Sequence, residues 1–352
     1  MTNPLQALWY TRCGVPTGFG LAKQAGFIDE AFARQGTRLQ SIKESDDPRV
    51  RESHFDHSLQ NSVRYGGNGP AVWARASGSP TRLIGVSTNG DHPLLLASEE
   101  SGIKSIRDLK GRRFGLPRWF NQSIDFAGAS ALRTLESALR LEGLEVGDVE
   151  IVDYPVASNI TSYAVSRIEG TETFKPRELP DRPKLVPDLL RGKIDAMASL
   201  GRSGLNLVRE FSLTQVFDLA DHPDPLARAN NNSPLTLAVD QHLLDRHYDS
   251  VVTLVQQILK AERWAREHRQ EARTLIAREV HASEYWIWNH YETAQGGLGI
   301  DTHLEPLALA ALQDYADFLL RWKFVPARVD VNEWLDPRPL ADARQALAAT
   351  AS

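Results

Sequence analysis

One cysteine, Cys13, occurs in 352 residues, so no internal disulfide can form and the sulfur content asks for no oxidising compartment. No apolar run reaches the roughly 18 residues that a membrane-spanning helix requires, and no membrane insertion is expected. The ten histidines include no HExxH pair, so no metal is expected either. Positive charge is in slight deficit. Lysines and arginines number 40 against 45 acids, a net charge of −5, which leaves no basic stripe to supply nucleic-acid affinity. Met1 to Gln6 shows neither the basic region nor the apolar stretch of a secretory leader, so a cytoplasmic location is expected, or a periplasmic one if a leader has been removed. A dinucleotide fingerprint is missing too: Gly18-Phe19-Gly20 has no third glycine and no acidic partner.

What is present is an ordinary globular composition, 42 % apolar and 24 % charged, in a chain too long for a single core. Strand-like and helical segments alternate, which predicts an α/β fold with largely parallel sheets. Strands are expected at Leu5–Tyr10, Thr37–Ile42 and Thr81–Val86, with helices at Thr17–Gly26 and Pro70–Ser77. Ser87–Asp91 reads as a crossing into a second lobe. There Leu94–Ala97, 149–154 and 194–199 read as strands, and 123–141, 185–191 and 203–211 as helices. Thr171–Lys184 reads as an irregular loop and Val216–Leu219 as the return crossing. Asp249–Glu279 suits long surface helices whose charges mark a solvated face, and Tyr285, Trp286 and Trp288 are expected to anchor a helix end in the core. Residues 1–90 and 220–352 would form lobe I and residues 91–219 lobe II. Two crossings leave a cleft at the carboxyl ends of both sheets, where ligands bind.

Cys13 follows the first strand on a Gly/Pro turn before a helix, where a thiolate is favoured over a thiol. About forty residues later a loop beginning at His54 ends in Arg64-Tyr65-Gly66-Gly67. Gly66, Gly67 and Gly69 permit positive φ and close backbone approach, and Pro70 suits a first helical position. With Arg64 beside it, this glycine run predicts an anion nest for carboxylate, sulfonate or sulfinate. His54 or His57 could serve Cys13 as a base. Trp73, Trp119, Phe120 and Phe126 are candidates for the cleft lining. Asn121, Asn159 and Asn231 match a sequon and are expected to be ordinary polar loop residues.

The segment Ile103–Gly115, the joint Gly192-Lys193-Ile194-Asp195-Ala196 and the stretch Phe324–Trp334 resemble the nitrate, taurine and sulfonate solute-binding superfamily. That resemblance implies a two-lobed type II periplasmic-binding-protein-like fold. Around Cys13 and His54–Gly67 the chain is similar to the aryl sulfinate desulfinase family. By that resemblance Cys13, His54 and Arg64 are the catalytic set and Gly67 offers an amide to the oxyanion; Gly66, Gly67, Thr11, His57 and Trp119 are expected to contact substrate, although the segment around Trp119 and Phe120 does not align with the family. The family has Tyr and Gln where this chain has His57 and Leu59, positions that shape the wall facing the organic group. The implied activity is cofactor-independent hydrolysis of a carbon–sulfur bond in an organosulfur anion by a monomer or weak dimer. The alternative is a non-catalytic binder passing a sulfonate, taurine or nitrate to an ABC transporter.

Overall fold

The computed structural model describes residues 4–120, 123–156, 163–168, 171–176, 185–291 and 298–349; Asn121 and Asn159 lie outside them. The chain opens as β1 (Ala7–Arg12), α1 (Gly18–Gln24), α2 (Phe27–Arg34), β2 (Arg38–Ser41), α3 (Pro48–Asp56), β3 (Ser62–Gly66), α4 (Asn68–Ala76) and β4 (Thr81–Ser87). It continues as β5 (Pro93–Ala97), β6 (Arg113–Trp119), α5 (Phe126–Leu141), β7 (Glu150–Val156), β8 (Tyr163–Ile168), β9 (Thr171–Pro176), α6 (Leu185–Leu190), β10 (Ala196–Leu200), α7 (Gly201–Phe211) and β11 (Thr214–Asp218). It ends as β12 (Leu235–Asp240), α8 (Gln241–Arg246), α9 (Tyr248–Glu267), α10 (Arg269–Val280), α11 (Glu284–Tyr291), α12 (Pro306–Arg321), α13 (Val331–Trp334) and α14 (Arg338–Ala349).

Two five-stranded sheets carry the molecule, in the orders β2-β1-β3-β12-β4 and β11-β5-β10-β6-β7. Each is mixed. β1 runs parallel to β2 and β3, whereas β12 is antiparallel to β3 and β4; in the other sheet β6 runs parallel to β7 and β10, and β5 is antiparallel to β10 and β11. The two-lobed α/β architecture expected from the alternation is therefore present, but the sheets are mixed and not largely parallel; β12 joins the first sheet after the chain has built the second, whose strands all lie between Pro93 and Asp218.

Period-2 alternation sorts the residues of β1. Leu8, Tyr10 and Arg12 face α1, α9 and α10, in a core with Phe19, Leu21, Leu254, Val255 and Ile258. Each of these fully buried apolar side chains contributes about 2 kcal/mol of transfer free energy. Thr17 starts α1 by accepting the Gly20 amide proton, a serine/threonine-type cap. A second core runs unbroken from Val72, Leu83 and Val86 beside the first sheet to Leu95, Phe114 and Leu135 of the second, with Leu312, Tyr315 and Phe318 of α12 packed into it. α12 thus belongs to the packing of both sheets.

Several expectations need correction. Thr171–Pro176 is a strand, β9, paired antiparallel with β8, and residues 177–184 of the expected loop lie outside the described residues. Val216 to Asp218 sit in β11 on the edge of the second sheet, so the chain returns only after them. Tyr285 and Trp288 are 68 % and 59 % exposed, Trp286 is half-buried, and the residues α11 buries are Ile287 and Tyr291. Their spacing of four places both on one face, which leaves Tyr285 and Trp288 on the outer side. α9 and α10 do present charged outer faces, but Glu262 and Glu279 point inward and are almost fully buried. Both lie against α1, where side chains at Gly18 and Gly20 would collide with them: a Cβ on Gly18 would stand 2.1 Å from Glu262 Oε1, and one on Gly20 3.0 Å from Glu279 Cγ. The GxG pattern at the start of α1 is explained by this close approach.

Candidate functional site

In a parallel strand pair, residues in register point to the same side. Thr11 of β1 is in register with Arg64 of β3, so Thr11, Arg64 and the next same-side position, Cys13, share the face opposite the α1 core. All three stand where these two strands end at their carboxyl termini. The residues between them turn away: Arg12 forms a buried ion pair with Glu279, which also accepts from Gln24 Nε2 at 2.8 Å, and Tyr65 OH bonds Thr302 Oγ1 at 3.0 Å. Strand geometry alone therefore separates a chemical face from a structural one.

Arg64 is 3 % exposed and held at three points. Nε donates to the His54 carbonyl at 3.2 Å, Nη1 to the Gly67 carbonyl at 2.7 Å and Nη2 to Cys13 Sγ at 3.4 Å. A guanidinium has five N–H bonds, so Nη1 and Nη2 each retain a second hydrogen, a fork that matches two oxygens of one oxyanion. Burial pulls the Arg64 pKa down and the sulfur opposite pulls it back up. Cys13 itself is half-buried, one residue beyond β1, and its amide donates to the Tyr65 carbonyl at 3.2 Å. It precedes the α1 cap Thr17 by four residues, and the positive group within bonding reach of its sulfur is Arg64, not the helix terminus.

His54 and His57 belong to α3 and its end, so the expected loop is a helix, a turn and a strand. Asp47 caps that helix by accepting from the Arg49 amide, and Pro48 occupies its first turn. His54 Nδ1 lies 2.7 Å from Thr11 Oγ1, which ties the imidazole to β1 two residues before the cysteine. Burial first, then the charges of Lys43 and Arg64, holds the His54 pKa well below its ordinary value, so the ring is neutral at pH 7. His57 ends α3 in the left-handed region at φ 51° and is 5 % exposed; burial and Arg64 keep it neutral as well. Its Nε2 has no hydrogen-bond partner among the described residues.

The glycines act through close approach. None of Gly66, Gly67 and Gly69 is among the positive-φ residues, and Gly67 has φ −50°. A Cβ on Gly66 would stand 2.3 Å from Cys13 Sγ, and one on Gly67 2.7 Å from Asn231 Nδ2. α4 begins at Asn68, so Pro70 is its third residue and not its first. The nest is also narrower than expected: the Asn68 and Gly69 amides donate to Asn231, to its carbonyl at 2.9 Å and its Oδ1 at 3.0 Å. Asn231 is 8 % exposed, a brace brought from beyond the second sheet that only its sequon had marked. The second sheet supplies an aromatic wall. Trp119 and Phe126 meet edge to face at 4.4 Å, and Phe126 Cβ lies 3.5 Å from where a Gly69 side chain would begin. Trp73 packs against the shared core, and Phe120 is 69 % exposed.

Sequence reasoning also missed Lys43. It sits on a single 3₁₀ turn, Ile42–Glu44, directly after β2, and that turn packs between the end of β1 and α3. Burial pushes its pKa down to about 8, with Cys13 pulling it up and Arg64 and Arg12 pushing it further down. Its place at the carboxyl end of a strand neighbouring β1 was the available signal.

Residues 17–179 match the NMT1/THI5-like family model. Over 361 aligned residues the chain is 25 % identical to 2′-hydroxybiphenyl-2-sulfinate desulfinase from Rhodococcus erythropolis, covering 94 % of this chain and 91 % of the relative. A solved structure of the desulfurization enzyme DSZB, a cysteine-to-serine variant in complex with biphenyl-2-sulfinic acid, superimposes with a TM-score of 0.70 at 23 % identity, over 97 % of this chain and 99 % of the other. The periplasmic aliphatic sulphonate binding protein SsuA from Escherichia coli superimposes with a TM-score of 0.65 at 16 % identity, over 94 % and 97 %. The chain therefore has a fold that is found both in a desulfurization enzyme and in an aliphatic sulphonate binding protein. No helix among the described residues is long and apolar enough to cross a membrane.

Proposed function

We propose that this protein hydrolyses the carbon–sulfur bond of an organic, aryl sulfinate. A sulfinate anion and water give the desulfinated arene and bisulfite, with no change in the total of atoms or charge. The observation that carries this reading is the three-point fixing of Arg64 with Nη2 on Cys13 Sγ, which presents an oxyanion fork and a sulfur nucleophile to one space. Arg64, assisted by the Gly67 amide, holds the sulfinate oxygens and stabilises charge that develops on them. Cys13 either attacks the sulfur, releasing the arene as it takes up the thiol proton, or gives that proton to the carbon. In the first route water then cleaves the sulfur–sulfur adduct and restores the thiol. His54, neutral and tied to Thr11, moves protons between Cys13 and water. The orphaned Nε2 of His57 meets a polar group of the substrate, and Trp119 and Phe126 pack on its ring.

The second reading, a receptor that binds sulfonates without turnover, is supported by the fold shared with SsuA. Sulfite release from a panel of aryl and alkyl sulfinates, compared between wild type and Cys13→Ser, separates the two. Turnover that disappears in the variant supports the enzyme. Tight sulfonate binding with no sulfite from any sulfinate supports the receptor, and equal turnover removes Cys13 from the mechanism.

A further inference from the structure

The turn ahead of α4 is where a helix N-terminus, with its unpaired amides, ordinarily takes up an anion. Here that end is closed from within. Of the first three residues of α4, Asn68 and Gly69 donate their amides to Asn231, the first to its carbonyl at 2.9 Å and the second to its Oδ1 at 3.0 Å, and Pro70 has no amide proton to give. The plug is itself fixed: Asn68 Nδ2 donates to the carbonyls of Asn230 and Pro234, both at 2.8 Å, Asn231 Nδ2 to Asn232 Oδ1 at 3.1 Å, and Asn232 Nδ2 to Asp91 Oδ2 at 3.0 Å. It also borders the anion pocket. Asn231 Nδ2 fills the space that a Gly67 side chain would need, next to the Gly67 carbonyl that anchors Arg64, and a Cβ on Gly69 would meet Asn231 Oδ1 at 2.9 Å and Phe126 Cβ of the aromatic wall at 3.5 Å.

We propose that Asn231 is a specificity-determining residue: by occupying the N-terminus of α4 it leaves the pocket with donors for two oxygens, and so selects a sulfinate over a sulfonate. The proposal rests on the sulfinate reading of the site and adds to it the oxidation state of the sulfur. The spare Nη hydrogens of Arg64 and the Gly67 amide suffice for the two oxygens of a sulfinate, whose sulfur carries a lone pair in its fourth position. A sulfonate carries there a third oxygen with an equal share of the charge. With the Asn68 and Gly69 amides engaged by Asn231, that oxygen enters without a donor from the helix end, and an acceptor buried unpaired costs about tenfold to 100-fold in affinity. The wrong anion is rejected by a missing partner, not by a clash.

Calorimetric titration with benzenesulfinate and benzenesulfonate, in the Cys13→Ser background that takes the reacting sulfur away, reads the selectivity as a ratio of Kd values. Benzenesulfonate should bind at least about tenfold more weakly than benzenesulfinate. Asn231→Ala releases the Gly69 amide and should narrow that ratio to less than about threefold, chiefly through tighter sulfonate binding; Asn231→Asp keeps an acceptor on the amide and should hold the ratio, while its charge weakens both anions. A general loosening of the turn would weaken both anions alike, so the ratio separates selection from structural support. An unchanged ratio in Asn231→Ala, in protein whose melting temperature shows it folded, overturns the proposal. So does a ratio that widens, because Asn231 Nδ2 would then be the donor to the third oxygen, and so does one that narrows as far in Asn231→Asp as in Asn231→Ala. Preference for benzenesulfonate before any change at residue 231 overturns it as well. Sulfite release by protein with Cys13 intact judges the hydrolysis separately: the expected ratios without sulfite from any sulfinate would uphold the role of Asn231 and refute the enzyme reading.

Discussion

Gly66→Ala puts one methyl group into the place where the account is most specific. The new Cβ would fall 2.3 Å from Cys13 Sγ, 2.8 Å from Cys13 Cβ and 3.2 Å from Cys13 N. Non-bonded carbon and sulfur or carbon atoms settle about 3.5–4.0 Å apart, so the sulfur must withdraw by more than about 1 Å. Neither backbone gives way easily: β3 is paired on both sides, by β1 and β12, and the Cys13 amide is fixed to the Tyr65 carbonyl. The cysteine side chain is left to rotate, away from Arg64 Nη2. Overpacking of this kind costs about 1–3 kcal/mol, a fall of a few degrees in melting temperature that leaves the protein folded at 25 °C. A reacting atom displaced by about 1 Å costs on the order of 100-fold in rate. Sulfite release should therefore drop about 100-fold while the melting temperature moves by only a few degrees, and Gly147→Ala, where a Cβ meets nothing within 4 Å, should change neither. Wild-type turnover in Gly66→Ala would refute the reasoning, because the sulfur would then be shown to work from a position other than the one beside Gly66.

Other perturbations read the remaining groups. Arg64→Lys replaces a fork by a point charge and abandons at least one of three anchors; KM for an aryl sulfinate should rise at least tenfold, and an unchanged KM would remove the arginine from substrate capture. His54→Gln, which keeps the bond to Thr11 available, should lower kcat by about 100-fold with little loss of stability, and an unchanged kcat would pass the proton-transfer role to His57. The two buried histidines bind fewer protons folded than unfolded, so their contribution to stability is present above about pH 6.5 and lost on acidification; denaturant unfolding at pH 5 and 7 should show His57→Gln to be less acid-sensitive than wild type. Glu262 has the opposite sign. Burial raises its pKa from 4.5 to about 8, so the folded state holds a proton that the unfolded chain releases, and stability falls as pH rises from 4.5 to about 8, by at most about 5 kcal/mol. Glu262→Gln should flatten that slope, and an unchanged slope would mean that the carboxyl is ionised in the fold.

The grouping of Cys13 with Arg64 was legible through the resemblance around Cys13 and His54–Gly67, while the strand at Ser62–Gly66 that brings Arg64 into register with Thr11 was read as part of a loop. The two-lobed architecture was legible from local pattern, since βα alternation persists over most of the chain. His54 was placed on a loop although Asp47-Pro48 is a helix-start signal; Arg49, Arg51 and Glu52 dilute the apolar stripe that would otherwise have declared α3. Asn231 and Lys43 were illegible for a different reason. Asn231 reaches the glycine turn from 162 residues away, and Lys43 is placed by a single 3₁₀ turn that no hydrophobic period announces. The buried glutamates were hidden within a run of exposed charges, and only the glycines facing them, Gly18 and Gly20, carried a trace of their direction.

The most direct measurement is a crystal structure of the Cys13→Ser protein soaked with biphenyl-2-sulfinate. Both sulfinate oxygens should lie within about 3 Å of the Arg64 Nη atoms and the Gly67 amide, the sulfur facing residue 13 and the ring against Trp119 and Phe126. A sulfinate bound elsewhere, or bound in the cleft with its oxygens turned from Arg64, would contradict the claim that thiol, imidazole and guanidinium serve one anion.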